Sequence, residues 1–369
     1  GLAGSTIHAV AQALHSADRL TVVLGAGSLG DDPSVMAHAA LGFAQHFPKA
    51  TFLPALHRGN VMGALDMGLA PGLLPGRTPL GDPPGSWSAV PDAPGLDAEA
   101  MLRAASEGDI DVAILLGCDP LTDFPDATLA ERGFNRVEHL IAVECVLNFT
   151  STGADIVLPA AATASEVDGT FTNIEGRLSP LTRKVTAPGT ARPDWMIAVE
   201  LAGQLGSDLG FIDIDELWDD LAAASSLHAG VRHEAVVASG PDGVVLTGTS
   251  IERPETPDVD EPGEGELRLV VTRKMYDEGT MLACSPSLAG LAAGASAALH
   301  PERFADLGIA AGDEVVVSSP AGSITLPSHP DPGVARGSVA IEFNQANASA
   351  AQLLDSRRTV TVVSVEAGS

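Results

Sequence analysis

Lysine is nearly absent from this chain: Lys49, Lys184 and Lys274 are the three present in 369 residues. Lysine and arginine together number 20 against 48 aspartates and glutamates, a formal net charge of −28. Phosphate backbones are held by clustered Lys and Arg, so this balance excludes a nucleic-acid role. It suits a solvated acidic surface or a basic partner protein. Aromatic residues make up only 4%, which leaves Ala, Val and Leu to fill the core. Cysteine is scarce too. Cys118, Cys145 and Cys284 are far apart, odd in number and never in a Cys-x-x-Cys pair. That excludes a disulfide framework and points to a reducing compartment. An iron–sulfur cluster takes four Cys ligands, mostly closely spaced, so this stretch alone is expected to hold neither a cluster nor another metal. Uninterrupted apolar runs of about 18 residues are missing, so no membrane-inserted segment is expected. The chain opens Gly-Leu-Ala, without Met or a signal-peptide pattern, and reads as a segment of a longer cytoplasmic polypeptide.

A chain of this length fits two domains. Leu20–Leu24 is a β-branched run, broken by Gly25-Ala26-Gly27-Ser28-Leu29-Gly30. Asp32-Pro33-Ser34 then starts a periodic helix over 35–47, and 51–56 reads as a second strand, completing a βαβ unit. Residues 57–96 are rich in Gly and Pro, predict no regular element and read as an arm laid across a neighbouring surface. Alternation resumes with a helix over 96–107, a strand over 112–116, a helix over 127–132 and strands over 140–143 and 155–158. A helix follows over 195–205 with Asp194 as its N-cap, and another over 214–224.

The acidic, Pro-rich stretch Glu252–Glu266 reads as an extended linker and marks a boundary between domains at 1–255 and 256–369. Beyond it the hydrophobic period changes from 3.6 to 2. Strands are predicted over 267–272, 314–318, 323–326, 338–343 and 359–365. Turn signals at Gly312-Asp313, Ala321-Gly322 and Asp331-Pro332-Gly333 separate them. An all-β barrel of about a hundred residues is the natural reading.

Gly25-x-Gly27-x-x-Gly30 has the form of a dinucleotide fingerprint, but Leu56-His57-Arg58 stand where the ribose-binding acid belongs. A tight strand–helix turn accounts for it as well. His228 and His233 are spaced wrongly for a zincin helix and read as solvent-exposed. Neither a nucleophile elbow nor a phosphate loop occurs. Asp168 and Glu175 are expected to accept backbone hydrogen bonds and to pair with Arg177 or Arg183, rather than to act as a catalytic acid pair. No catalytic residue is expected in this segment.

The most distinctive stretch is Ala154–Arg177, A-D-I-V-L-P-A-A-A-T-A-S-E-V-D-G-T-F-T-N-I-E-G-R. It reads as a short strand stopped by Pro159 and followed by a long polar loop, which is where open α/β sheets place ligand contacts. The pattern resembles the molybdopterin oxidoreductase superfamily, in which such a segment lines the pterin-dinucleotide channel. Gly117-Cys118-Asp119-Pro120 is similar to the family's turn toward the guanine dinucleotide, or is a Gly-Asx-Pro turn that only redirects the chain, and His300–Gly322 looks like its C-terminal barrel. The resemblance implies an α/β layered parallel-sheet domain followed by a double-psi β-barrel. It also implies vestigial cofactor-binding positions at Gly117, Asp119, Glu166, Gly169, Thr170, Asn173, Arg177, Gly312 and Asp313.

Within the superfamily, Lys274–Thr280 and the 53–76 string look like the large iron–sulfur subunit of the proton-pumping NADH:quinone oxidoreductase (complex I). There the pterin is lost and the fold is kept. That resemblance implies iron–sulfur clusters in a preceding part and other hydrophilic subunits as partners. It also implies a place on the cytoplasmic inner face of the plasma membrane. The alternative is the C-terminal half of a molybdenum-bis-pterin enzyme such as a formate dehydrogenase, with molybdopterin as cofactor and the metal-ligating residue upstream.

Overall fold

The change of hydrophobic period along the chain is matched by a change of architecture. The computed structural model describes residues 4–25, 27–56, 58–81, 83, 87, 89–163, 165–246, 259, 262–263 and 265–368. The first elements are α1 (Gly4–Ser16), β1 (Thr21–Gly25), α2 (Pro33–His46) and β2 (Thr51–Ala55). β1 and β2 pair in parallel, with Thr21 opposite Thr51. Asp32 starts α2 by accepting the Ser34 amide at 2.8 Å, and Pro33 takes the first turn. Proline is tolerated there because that amide has no helical partner to lose.

After α3 (Val61–Asp66), β3 (Leu73–Leu74) and β4 (Thr78–Pro79), a second parallel sheet is built. Its elements are α4 (Ala98–Glu107), β5 (Val112–Leu116), α5 (Pro120–Asp123), α6 (Ala127–Phe134), β6 (His139–Glu144) and β7 (Ile156–Pro159). The strand order is β5-β6-β7. Asp97 and Asp126 cap α4 and α6 by accepting the amides of Ala100 and Leu129 at 2.8 and 2.9 Å. Such caps satisfy amides that have no partner inside the helix.

Several expectations need correction. The 57–96 arm is not devoid of regular structure, since α3 and the β3–β4 hairpin form within it. They fold onto this chain: Leu74 is buried, and Asp66 is fully buried against Arg77. Short elements opening at a left-handed Asn60 (φ 61°) leave no periodic signal to read. The polar loop after Pro159 holds an antiparallel hairpin, β8 (Gly169–Thr172) and β9 (Arg177–Leu181), because Thr-Phe-Thr flanks a tight turn. Asp194 is not an N-cap. The Pro193 carbonyl accepts the amides of Met196 and Ile197, so α7 (Asp194–Gln204) starts one residue earlier.

His228 is not solvent-exposed either. It is wholly buried beside α8 (Ile214–Ala224), α9 (His233–Ser239) and β10 (Val244–Val245), under a core of Leu178, Trp218, Val236 and Leu246. Its Nδ1 lies 2.7 Å from the Ser225 hydroxyl and its ring meets Trp218 edge-on. His233 is largely covered too, with Nδ1 2.7 Å from Asp215 and its ring stacked on Trp218.

Burial pushes the His228 pKa down; Asp66 partly counters this, and Arg77 adds to the depression. The unfolded chain therefore takes up this proton before the folded one does. The contribution is at its full value above the ordinary histidine range near 6.5 and is lost as pH falls through that range toward the depressed folded value. Urea midpoints should fall between pH 7.5 and pH 5.5, and His228→Gln should flatten that slope.

From residue 267 the chain closes into a barrel. Its elements are β11 (Leu267–Thr272), α10 (Thr280–Ala283), β12 (Ala297–Leu299), α11 (Pro301–Asp306), β13 (Glu314–Ser318), β14 (Ser323–Pro330), β15 (Ser338–Glu342) and β16 (Val362–Ala367). The order is β11-β15-β12-β14-β13-β16, with β11–β15 and β12–β14 parallel and the other pairs antiparallel. Alternate residues point inward, as the strand period requires. Leu269, Val271, Val315, Val317, Val339, Ile341 and Phe343 fill the interior. Most of the expected linker, at 252–258, 260–261 and 264, lies outside the described residues.

The last strand starts at 362 rather than 359, because Thr359 and Val360 serve the junction with the α/β layers. Thr359 O accepts the Asp32 amide at 3.0 Å, and Val360 bridges Asp31. The glycine turn after β1 is plugged into the same junction. Leu29 N donates to Val271 O at 2.9 Å, and Ser28 Oγ accepts from Gly30 N and Val271 N. Arg268 pairs with Asp31 at 2.6 Å. A Cβ at Gly30 would come within 2.9 Å of Leu354. The Leu29 amide is therefore spent on the barrel and the Gly30 amide on Ser28 within the turn. This turn serves domain contact.

Candidate functional site

A cleft of about 660 Å³ opens where the carboxyl ends of β5 and β6 face the barrel segment 273–282. That is the position at which parallel α/β sheets bind ligands. Its floor is Gly117-Cys118-Asp119. Gly117 takes a φ of 58°, which favours glycine and lets the chain turn off the strand.

Asp119 precedes α5 without capping it. Its carboxylate instead reaches the 148–151 turn and accepts from Thr150 N at 3.0 Å, Thr150 Oγ1 at 2.5 Å and Phe149 N at 3.4 Å. Thr280 Oγ1 of the barrel donates to it at 3.2 Å. At 5% exposure it is a buried carboxylate tying three segments together.

Glu144, at the end of β6, is similarly buried. Its Oε1 accepts from Asn148 Nδ2 at 3.1 Å, and the same amide reaches Cys118 O at 3.3 Å. Burial pushes the Glu144 carboxyl above the usual carboxylate range, although the Asn148 hydrogen bond opposes this. The Cys118 and Cys145 thiols, though exposed at their edges, are pushed up by partial desolvation and nearby carboxylates, which keeps them protonated at neutral pH.

The basic side chains of the cleft are all engaged. Arg273 lies over the Phe343 ring at 4.7 Å and pairs with Asp277 at 3.1 Å and Asp123 at 3.0 Å. Arg58 joins Asp123 at 3.2 Å, and Lys274 lies 3.5 Å from Glu342. The lining holds Arg58, Arg273 and Lys274 against Asp119, Asp123, Glu144 and Asp277, so carboxylates outnumber cations. Among the described residues no group of three or more His, Cys, Asp or Glu is arranged to hold a metal ion.

Of the residues singled out in the sequence, Gly117 and Asp119 line this cleft. Glu166 borders it, its Oε2 accepting the amide of the cleft residue Ala162 at 2.8 Å. The rest are not gathered there. Gly169 and Thr170 lie on β8. Asn173 Oδ1 closes the hairpin turn by accepting from Glu175 N and Arg177 N at 2.9 and 3.0 Å. Arg177 donates to Asp242 O at 2.5 Å and lies 3.7 Å from Glu175. Asp168 accepts the Arg183 amide at 2.9 Å, the structural role expected of it. Gly312 and Asp313 form a barrel turn, with Gly312 N bonded to Ser328 O and Asp313 to the Ala310 amide.

Sequence reading missed Glu144, Asn148, Thr150, Asp123 and Arg273. Glu144 could have been found as the charged end of a strand; the others carry no local signal. Asn173→Ala should cost about 1 kcal/mol, since the turn is exposed and water replaces part of the lost bonds. Chemical denaturation of the variant checks this.

A family model described as molybdopterin oxidoreductase matches residues 8–204, and one described as molydopterin dinucleotide binding domain matches residues 267–365. The chain belongs to the molybdopterin oxidoreductase family. Among its relatives is an NADH-quinone oxidoreductase G subunit of Rhizobium meliloti. It is 32% identical over 291 residues, covering 75% of this chain and 33% of that protein. F420-dependent formate dehydrogenase 2 subunit alpha of Methanococcus maripaludis is 29% identical over 325 residues, covering 79% of this chain and 47% of that one. Acetylene hydratase from Pelobacter acetylenicus shares the fold at a TM-score of 0.54 and 17% identity. It covers 68% of this chain and 40% of its own. The chain thus spans less than half the length of these proteins. No helix of the described residues is long and apolar enough to cross a membrane.

Proposed function

We propose that this chain is a structural portion of the large iron–sulfur subunit of an NADH-quinone oxidoreductase. In this reading it supports electron transfer from NADH to quinone through iron–sulfur clusters carried elsewhere and performs no chemistry itself. Its divisions are an α/β domain over 1–255 and a barrel over 256–369. Its partners are other hydrophilic subunits, on the cytoplasmic inner face of the plasma membrane.

One observation carries the reading: each cation on the cleft wall is already paired with a carboxylate of this chain. A pterin dinucleotide brings a pyrophosphate, which needs free cations or amides. It would meet a wall with an excess of acid and thiols that stay protonated. The residues present do not fit that group.

A second reading, the C-terminal part of a molybdenum-pterin oxidoreductase, draws on the formate dehydrogenase relative, which covers 79% of this chain. Metal and pterin analysis of the intact purified assembly separates the two. The scaffold reading expects iron with neither molybdenum nor pterin. Stoichiometric molybdenum and pterin would replace it with the second reading.

A further inference from the structure

The β5–β6–β7 sheet is parallel, yet only part of one of its faces is covered. Alternate strand residues share a face. With Ile114 opposite Ile141 and Ile141 opposite Ile156, one face carries Val112, Ile114 and Leu116 of β5 together with Ile141, Val143 and Leu158 further across. On the other face Leu115, Leu140 and Ala142 are buried. On the first, α7 covers the carboxyl ends of β6 and β7, where Ile197 packs with Val143 and Leu158. Its remainder is bare: Val112, Ile114, Leu116 and Ile156 are 50, 53, 59 and 51% exposed. β5 also ends the sheet, with no strand on its far side among the described residues.

Parallel sheets are stable with helices on both faces, because their strands are apolar on both sides. A helix about 10 Å wide covers about two strands spaced about 4.8 Å apart. α7 therefore serves β6 and β7, and β5 has room for one more helix. The row at Val112, Ile114 and Leu116 is apolar and uncharged in a chain of net charge −28. An exposed apolar patch of this kind marks an interaction site.

We propose that this face is the seat of an amphipathic helix from further polypeptide, entering beside a strand that pairs in parallel with the open edge of β5. The relatives supply the occupant's source, since more than half of their length lies outside the region matched here. The surface is the same whether the cleft is scaffold or pterin site, so its failure would leave the proposed function standing.

The test co-expresses this chain, affinity-tagged, with the unmatched portion of the Rhizobium meliloti relative. The parent chain should capture that portion. Ile114→Lys and, separately, Leu116→Lys should lower capture about tenfold, as expected for anchors at the centre of an interface. Both should leave the melting temperature of the chain alone unchanged, and Ile212→Lys, at a 79% exposed site elsewhere, should capture normally. Equal capture by the variants, or none by the parent, overturns the proposal. So does a dimer of the chain alone, seen by sedimentation and dissolved by Ile114→Lys, because a second copy would then be the occupant.

Discussion

Asp66→Ala is expected to destabilise the folded chain by roughly 3–5 kcal/mol, the cost of removing one partner from a buried ion pair. Asp66 is fully buried, and its Oδ1 accepts from both Nε and Nη2 of Arg77, at 2.7 and 2.6 Å. Arg77 is mostly covered and sits at a positive φ of 54°, a backbone conformation held by the surrounding packing. Without the carboxylate, a buried guanidinium is left near His228 with no counter-charge. Denaturant unfolding reads the loss. The double change Asp66→Ala with Arg77→Met should recover most of it, since it removes the stranded charge as well as the pair. Additive losses would instead mean that each side chain acts through packing alone.

The second large effect is at the cleft. Asp119→Ala should cost about 3 kcal/mol, because it strands the buried Thr150 amide and hydroxyl and the Thr280 hydroxyl. It also cuts a tie between the α/β layers and the barrel, whose other polar links include Arg268–Asp31, Arg273–Asp123 and Ser356–Asp126. Asp119→Asn keeps one acceptor for Thr150 and should lose about half as much. Thermal unfolding of the two variants side by side measures the difference, and an Ala variant as stable as the parent would refute the tie.

Much of the fold is legible in the sequence where local chemistry decides the outcome. Val112–Leu116, Leu267–Thr272 and Glu314–Ser318 are β-branched runs bounded by turn residues, and each is a strand over those bounds. The Asp32-Pro33-Ser34 cap works as written, because a cap needs only its own neighbours. Legibility ends where distant segments decide. Ala297–Leu299 is a barrel strand because Val339 and Ser328 flank it on either side, not because Ala-Ala-Leu favours extension. His228 is buried because an arm some 150 positions earlier folds over it. The cleft's chemistry is of the same kind: Arg273 and Asp123 meet across 150 residues, and no spacing rule brings them together. Gly117 and Asp119 could be picked out because a parallel strand ends there. The acidic character of what faces them could not.

In the proposed function the cleft around Asp119 supports shape and not turnover. The direct measurement is NADH:quinone turnover per assembled complex in a strain carrying Asp119→Ala, with assembly quantified in the same membranes. The structural account expects the amount of complex to fall while turnover per complex stays at the parent value. Parent levels of complex with turnover lost would contradict it and make the cleft a site of chemistry.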